Sequence, residues 1–268
     1  MYQCNIKSKI LKELLELTYS MWQIGWDESN GGNVSYILDE TELKDFDLKQ
    51  EGRFYELENI PKNFVGKYLL ITASGSNFRV LKNYPTRDVG VIKFKTDGYE
   101  ILWGFEEGRK PTSELYMHLL SHNARLSVDK NHRVIVHNHA ENAIAYSSMV
   151  EPNDRDYTFP LWQVLTEGVV VFPDGVGVIP WELPGTEQIG SKTANKLLKS
   201  RIVVWENHGI LASGKSYQDC FGLIETVNKA CGIFIKTYGK RKNSGLTEEN
   251  ILEVCNSLNI EPRKDLFK

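Results

Sequence analysis

A chain of 268 residues, 41% of them hydrophobic and 25% charged, carries enough apolar material for a sizeable core and needs no disulfide or structural metal to hold it. The formal charge of −3 is spread over interspersed acidic and basic residues, so no basic stripe marks a nucleic-acid surface and no polybasic segment marks an anionic membrane. The first residues lack an apolar run of signal-peptide length, and no stretch approaches the roughly 18 apolar residues that span a bilayer, so a cytoplasmic location is expected.

Residues 6–22 place Ile6, Ile10, Leu14, Leu17 and Met21 at steps of three or four, the period of an amphipathic helix, with Gly25 past its end. A polar, glycine-rich loop over 26–33 leads into a short strand over 34–38. The acidic, irregular stretch 39–63 reads as a surface excursion. Residues 68–72 are a buried-strand signal that empties into a second small-residue loop, 73–76. Strand-like runs over 89–95 and 99–103 flank Asp97-Gly98, the pattern of a hairpin. Residues 111–114 open a helix that runs to about His122. A strand over 133–136 ends at His137-Asn138-His139, and an alanine-bearing helix follows. Residues 168–172 and 201–205 are expected to be buried strands, and 217–238 a helix. With no repeat, low-complexity tract or linker, residues 1–268 are expected to form one three-layer domain, helices over a mixed sheet. Cys4, Cys220, Cys231 and Cys255 make no CxxC pair and no disulfide framework, so free thiols in a reducing compartment are expected.

His137 and His139 lie two apart at a strand end, where alternate side chains point to the same face and two imidazoles can converge on one ion. A lone HxH is weak, since it is often a structural accident. His208 strengthens it, for it too follows a buried strand and precedes a glycine, and strand ends at one sheet edge are a usual place for a site. Three histidines leave a coordination position open, as catalytic zinc requires. His118 and His122, four apart on a helix, lack a third ligand and read as ordinary helix polar groups, and His132 reads as exposed at a strand entry.

Asn30-Gly31-Gly32-Asn33 and Ser74-Gly75-Ser76 are rich in small donors, and Ser113 sits at a helix start, where backbone amides favour anions. Most glycine loops are only turns, but three such features beside a metal site suggest a phosphorylated substrate. None follows a nucleotide-binding glycine pattern. Glu114 is open to two readings: an acidic group complementing a helix dipole, or a general acid/base beside the metal.

Together these residues resemble the class II sugar-phosphate aldolases of the fuculose aldolase and ribulose-phosphate epimerase superfamily, over essentially the whole chain. The motifs are GWDESNGGNVS at 25–35, PTSE at 111–114, HNHA at 137–140, VVFPDGVGVIPW at 170–181 with PGT at 184–186, and ENHG at 206–209. GGN and HxH indicate the superfamily, while the GWDE opening and FPDGVG segment point to its rhamnulose-phosphate branch. The resemblance implies an α/β/α fold with a mostly antiparallel sheet, one zinc ion per subunit, and a homotetramer with sites at subunit borders. It implies reversible cleavage of L-rhamnulose 1-phosphate into dihydroxyacetone phosphate and L-lactaldehyde. By motif, His137, His139 and His208 would be the zinc ligands and Glu114 the acid/base. Asn30, Gly32, Asn33, Ser74, Gly75, Ser76 and Ser113 would bind phosphate, and Glu167 would be lent by a neighbouring subunit. One departure is Ala73, where the family often carries glycine; its N–H remains usable only if that position needs no positive φ. The rival activities are fuculose-phosphate cleavage, pentulose-phosphate 4-epimerisation, zinc hydrolysis, or a non-catalytic binding scaffold on the same fold.

Overall fold

A computed structural model describes residues 6–240 and 245–267. Nine strands among these form one sheet: β1 (Asn33–Leu38), β2 (Arg53–Glu56), β3 (Tyr68–Thr72), β4 (Val89–Phe94), β5 (Gly98–Gly104), β6 (Val134–Asn138), β7 (Val176–Ile179), β8 (Ile202–Trp205) and β9 (Gly209–Gly214). Their order is β2-β5-β4-β3-β1-β6-β9-β8-β7, antiparallel throughout except for the parallel pair β7–β8. The α-helices are α1 (Lys9–Gln23), α2 (Phe78–Leu81), α3 (Pro85–Asp88), α4 (Leu115–Val128), α5 (Glu141–Ser147), α6 (Asp154–Val164), α7 (Thr166–Val171), α8 (Glu187–Leu197), α9 (Tyr217–Thr237) and α10 (Glu248–Leu258).

Successive strand residues face opposite sides, and here both sides are buried. In β8, Ile202 and Val204 join the core beneath α1, α5, α6 and α9, while Val203 and Trp205 join the core beneath α4 and α8. β6 divides the same way, with Val134 and Val136 on one side and Ile135 on the other. Strands buried on two faces read as continuous apolar runs, which is why 68–72 and 201–205 were legible. The expected α/β class, with helices on both faces of a mixed, mostly antiparallel sheet, is what the chain adopts.

Several boundaries differ from expectation. α1 begins at Lys9, because Ser8 caps it by accepting from the Leu11 N–H at 3.2 Å. The 39–63 excursion contains β2, whose four residues pair with β5 along the sheet edge. Residues 168–172, expected as a strand, lie largely in helix α7, which tucks Val169 and Phe172 into the main core. The strand of that region is β7, four residues further on, where Val176–Ile179 lie alongside β8. α4 runs on to Val128, beyond His122. His132 is buried, not exposed: its Nδ1 accepts from Arg125 Nη2 at 2.8 Å. Cys220, Cys231 and Cys255 are buried free thiols, and Cys4 lies outside the described residues. No helix among the described residues is long and apolar enough to cross a membrane.

Candidate active site

The strand ends carry the three histidines to one place. β6 and β1 pair with Asn33 opposite His137, and β6 and β9 pair with Asn138 opposite Ile210, so the HNHA and ENHG turns sit side by side. The ring centroids of His137, His139 and His208 form a triangle with sides of 5.4, 5.2 and 5.2 Å. One ligand nitrogen from each ring lies within 4.8 Å of the other two. Gly209 makes this possible: a Cβ there would stand 2.8 Å from His137 Cε1 and 3.1 Å from His139 Cδ2.

The donor set fits a divalent metal. His137 Nδ1 donates to the Ile210 carbonyl at 3.1 Å, which leaves Nε2 bare. His139 Nδ1 donates to Glu28 at 2.8 Å, which does the same for its Nε2. Such outer partners fix the tautomer and aim the ligating nitrogen. Burial, with His139 adding to it, holds His137 uncharged, its pKa depressed to about 3. Burial and His137 hold His208 at about 4. A metal ligand must be the neutral imidazole, so both rings are ready without a proton to lose near neutrality.

Glu114 faces these rings from the start of α4. Its Oε2 lies 3.7 Å from His137 Nε2, and its Oε1 lies 4.0 Å from His208 Nε2. It holds the N-cap position of α4 without a side-chain capping bond, and its side chain instead accepts from Asn33 Nδ2 at 2.9 Å. Burial raises its carboxyl above the ordinary range, against the lowering pull of Asn33, His208 and His139. A raised carboxyl facing the uncharged His137 and His208 rings is suited to taking up and returning a proton.

A cleft of about 260 Å³ joins these groups to both small-residue loops. Asn30, Gly32, Asn33, Ser74, Gly75 and Ser113 line it together with the histidines and Glu114. Among the described residues the backbone N–H groups of Gly32, Gly75 and Ser113 make no hydrogen bond, which leaves them for an anion. Ala73 has no positive φ, but its N–H is spent on the Asp88 carbonyl at 2.8 Å; the positive φ in this loop, +70°, belongs to Gly75. Ser76 is buried and is not part of the lining. Glu167 stands exposed on the first turn of α7 and does not line the cleft of its own chain.

Sequence reasoning missed Glu28, Asp27, His118 and Ser35. Asp27 is buried behind Gly32 with neither carboxyl oxygen hydrogen-bonded among the described residues, and burial raises its pKa well above the usual range. His118 and His122 are fully buried against Ser35 rather than ordinary helix polar groups. The signal for them was spacing: Glu114, His118 and His122 recur every four residues, one face of a helix.

The chain is similar to known proteins along most of its length. A rhamnulose-1-phosphate aldolase of Listeria monocytogenes is 41% identical over 258 residues, 94% of each chain. One of Enterococcus faecalis is 41% identical over 236 residues, covering 85% of this chain and 83% of that one. A sugar-phosphate aldolase structure from Thermotoga maritima superposes with a TM-score of 0.75 at 27% identity, covering 88% of this chain and 98% of the other. The family model for the class II aldolase and adducin N-terminal domain matches residues 12–235, and the chain belongs to that family.

Proposed function

We propose that this protein is a zinc-dependent aldolase that reversibly cleaves L-rhamnulose 1-phosphate into dihydroxyacetone phosphate and L-lactaldehyde. The observation that carries this reading is the single cleft holding three convergent imidazoles, a buried carboxyl and unpaired backbone N–H groups, on a chain 41% identical to a rhamnulose-1-phosphate aldolase along nearly its whole length. His137, His139 and His208 would hold the ion, one per subunit. When bound, the ion supplies the Lewis acid that carbon–carbon cleavage next to a ketone needs.

The chain's own groups do the rest. The N–H groups of Gly32, Gly75 and Ser113, with the side chains of Asn30, Ser74 and Ser113, hold the phosphate at the N-terminal end of α4. That anchorage sets the carbon skeleton across the cleft towards the histidines. Glu114 takes and returns the substrate proton, burial having raised its pKa above the ordinary carboxyl range. Asn33 holds Glu114 in place through one N–H. Glu167, exposed and away from its own cleft, suits a group offered to a neighbouring subunit, and we include the homotetramer, a single domain over 1–268 and a cytoplasmic location in the proposal.

A coupled assay for dihydroxyacetone phosphate, run with L-rhamnulose 1-phosphate and L-fuculose 1-phosphate, together with an epimer analysis of a pentulose phosphate, tests the substrate. Release from the rhamnulose compound at a kcat/KM well above the others supports the reading. Preference for either rival substrate, or no turnover of any, refutes it.

A further inference from the structure

Behind Glu114 a chain of buried polar groups runs away from the cleft. Glu114 Oε2 accepts from Asn33 Nδ2 at 2.9 Å, and Asn33 Oδ1 meets His118 Nε2 at 2.6 Å. His118 Nδ1 meets Ser35 Oγ at 2.6 Å, and Ser35 Oγ meets His122 Nε2 at 2.8 Å. Two periodicities assemble it. Asn33 and Ser35 are alternate residues on one face of β1. Glu114, His118 and His122 are fourth neighbours on one face of α4 and its cap.

With Glu114 ionised, the protons in this chain have one consistent placement. A carbonyl oxygen can only accept, so His118 Nε2 carries the hydrogen towards Asn33. Full burial keeps His118 and His122 uncharged. A neutral His118 with Nε2–H has a bare Nδ1, so the Ser35 hydroxyl donates to it. Ser35 Oγ is then the acceptor for His122 Nε2–H. His122 Nδ1, left bare, is buried with no hydrogen-bond partner among the described residues, which suits a lone pair at the end of a chain. Turning the Asn33 amide over would set its oxygen against a carboxylate oxygen, and would reverse the chain so that His122 carried its hydrogen on Nδ1, a buried N–H with no partner among the described residues. The first contact repels and would remove the one hydrogen bond that, among the described residues, Glu114 receives from a side chain.

We infer that His118 is a positioning residue: through Ser35 and His122 its Nε2–H locks the Asn33 amide so that the NH2 faces Glu114. This rests on the proton-handling role proposed for Glu114. It turns a helix histidine outside the cleft lining into a determinant of turnover and leaves ligand recognition to other groups.

Two measurements test it. In the metal-free protein, 15N NMR of labelled histidines should show His118 as the neutral Nε2–H tautomer at neutral pH. An Nδ1–H tautomer or an imidazolium there would overturn the inference whatever the activity. Kinetics per metal-loaded site provide the second. His118→Met, which cannot donate, should lower kcat roughly 10–100-fold with KM changed by less than about twofold, the loss expected for one hydrogen bond to a charged group. His118→Gln, which keeps a donor at the same reach, should restore most of that loss at the same thermal stability as His118→Met. Equal kcat in His118→Met and the unsubstituted protein, or no difference between the Met and Gln variants, would overturn it. If His118→Met does not fold, Ser35→Ala serves instead. It should lower kcat several-fold and mix the His118 tautomers, and an unmixed Nε2–H signal with unchanged kcat would count against the inference. If the unsubstituted protein turns over no sugar phosphate, the proposed function fails while the tautomer measurement still stands.

Discussion

Glu114 and Gly209 show how single atoms control the site. Glu114→Gln keeps the shape and one hydrogen-bond acceptor but removes the group that moves a proton. Turnover should fall roughly 10²–10⁴-fold, with metal content per chain unchanged. An assay of the purified variant alongside its metal content checks both halves. Gly209→Ala acts from the other side. Its Cβ would meet the Asn138 carbonyl at 2.6 Å and His137 Cε1 at 2.8 Å, so the two turns that carry the ligands must separate. Weaker metal retention on dialysis against chelator is the expected result, with the secondary structure intact by circular dichroism. The histidines, Glu114 and the glycine loops were legible because metal ligands and close-approach glycines leave short motifs. The groups that hold them in place were not. Glu28 is an exposed acid among many until His139 is seen 2.8 Å away. Asn33, expected at phosphate, has one donor on Glu114 and its oxygen on His118. Such pairings join residues about 80 to 110 positions apart in the chain.

At the scale of elements, local pattern predicted what tertiary packing did not contest. Residues 68–72 and 202–205 became strands because both faces of each are covered. The run 168–172 is similarly apolar but lies largely in α7, since a short helix there buries Val169 and, at its end, Phe172, while Val176–Ile179 take the place beside β8. Apolar runs of this length do not distinguish a buried strand from a buried helix turn. β2 was missed because an edge strand of four residues with one wet face has little apolar signal. One side-chain contact ties the far layer to the site. Thr193 on α8 accepts from Trp205 Nε1 at 2.9 Å, and the Trp205 ring lies 4.8 Å from His137 and 5.0 Å from His208, centroid to centroid. Thr193→Val leaves a buried indole N–H without a partner. Denaturant unfolding should report a loss of about 1–3 kcal/mol, and an unchanged midpoint would contradict this role for the contact.

For the whole molecule, buried titratable groups set the dependence of stability on pH. His118, His122, His132, His137 and His208 all have pKa values depressed mainly by burial, to about 3 for His122 and His137 and about 4 for His208. Between an ordinary histidine pKa of about 6.5 and these values, the unfolded chain binds protons that the folded chain refuses. Their contribution to stability is therefore fully present above about pH 6.5 and is lost as pH falls. Glu114 and Asp27, raised by burial, work in the opposite sense, but they are two groups against five. With chelator present, the urea midpoint should be lower at pH 5 than at pH 7, and an equal or higher midpoint would show that the rings are not buried neutral.

The central claim, that three distant imidazoles hold one cation on which the chemistry depends, is tested most directly by the metal content of the purified chain and of its His208→Ala variant. About one divalent ion per chain in the first, and a clear loss in the second at unchanged fold, is the predicted result. No bound metal in the first, or equal metal in both, would contradict it.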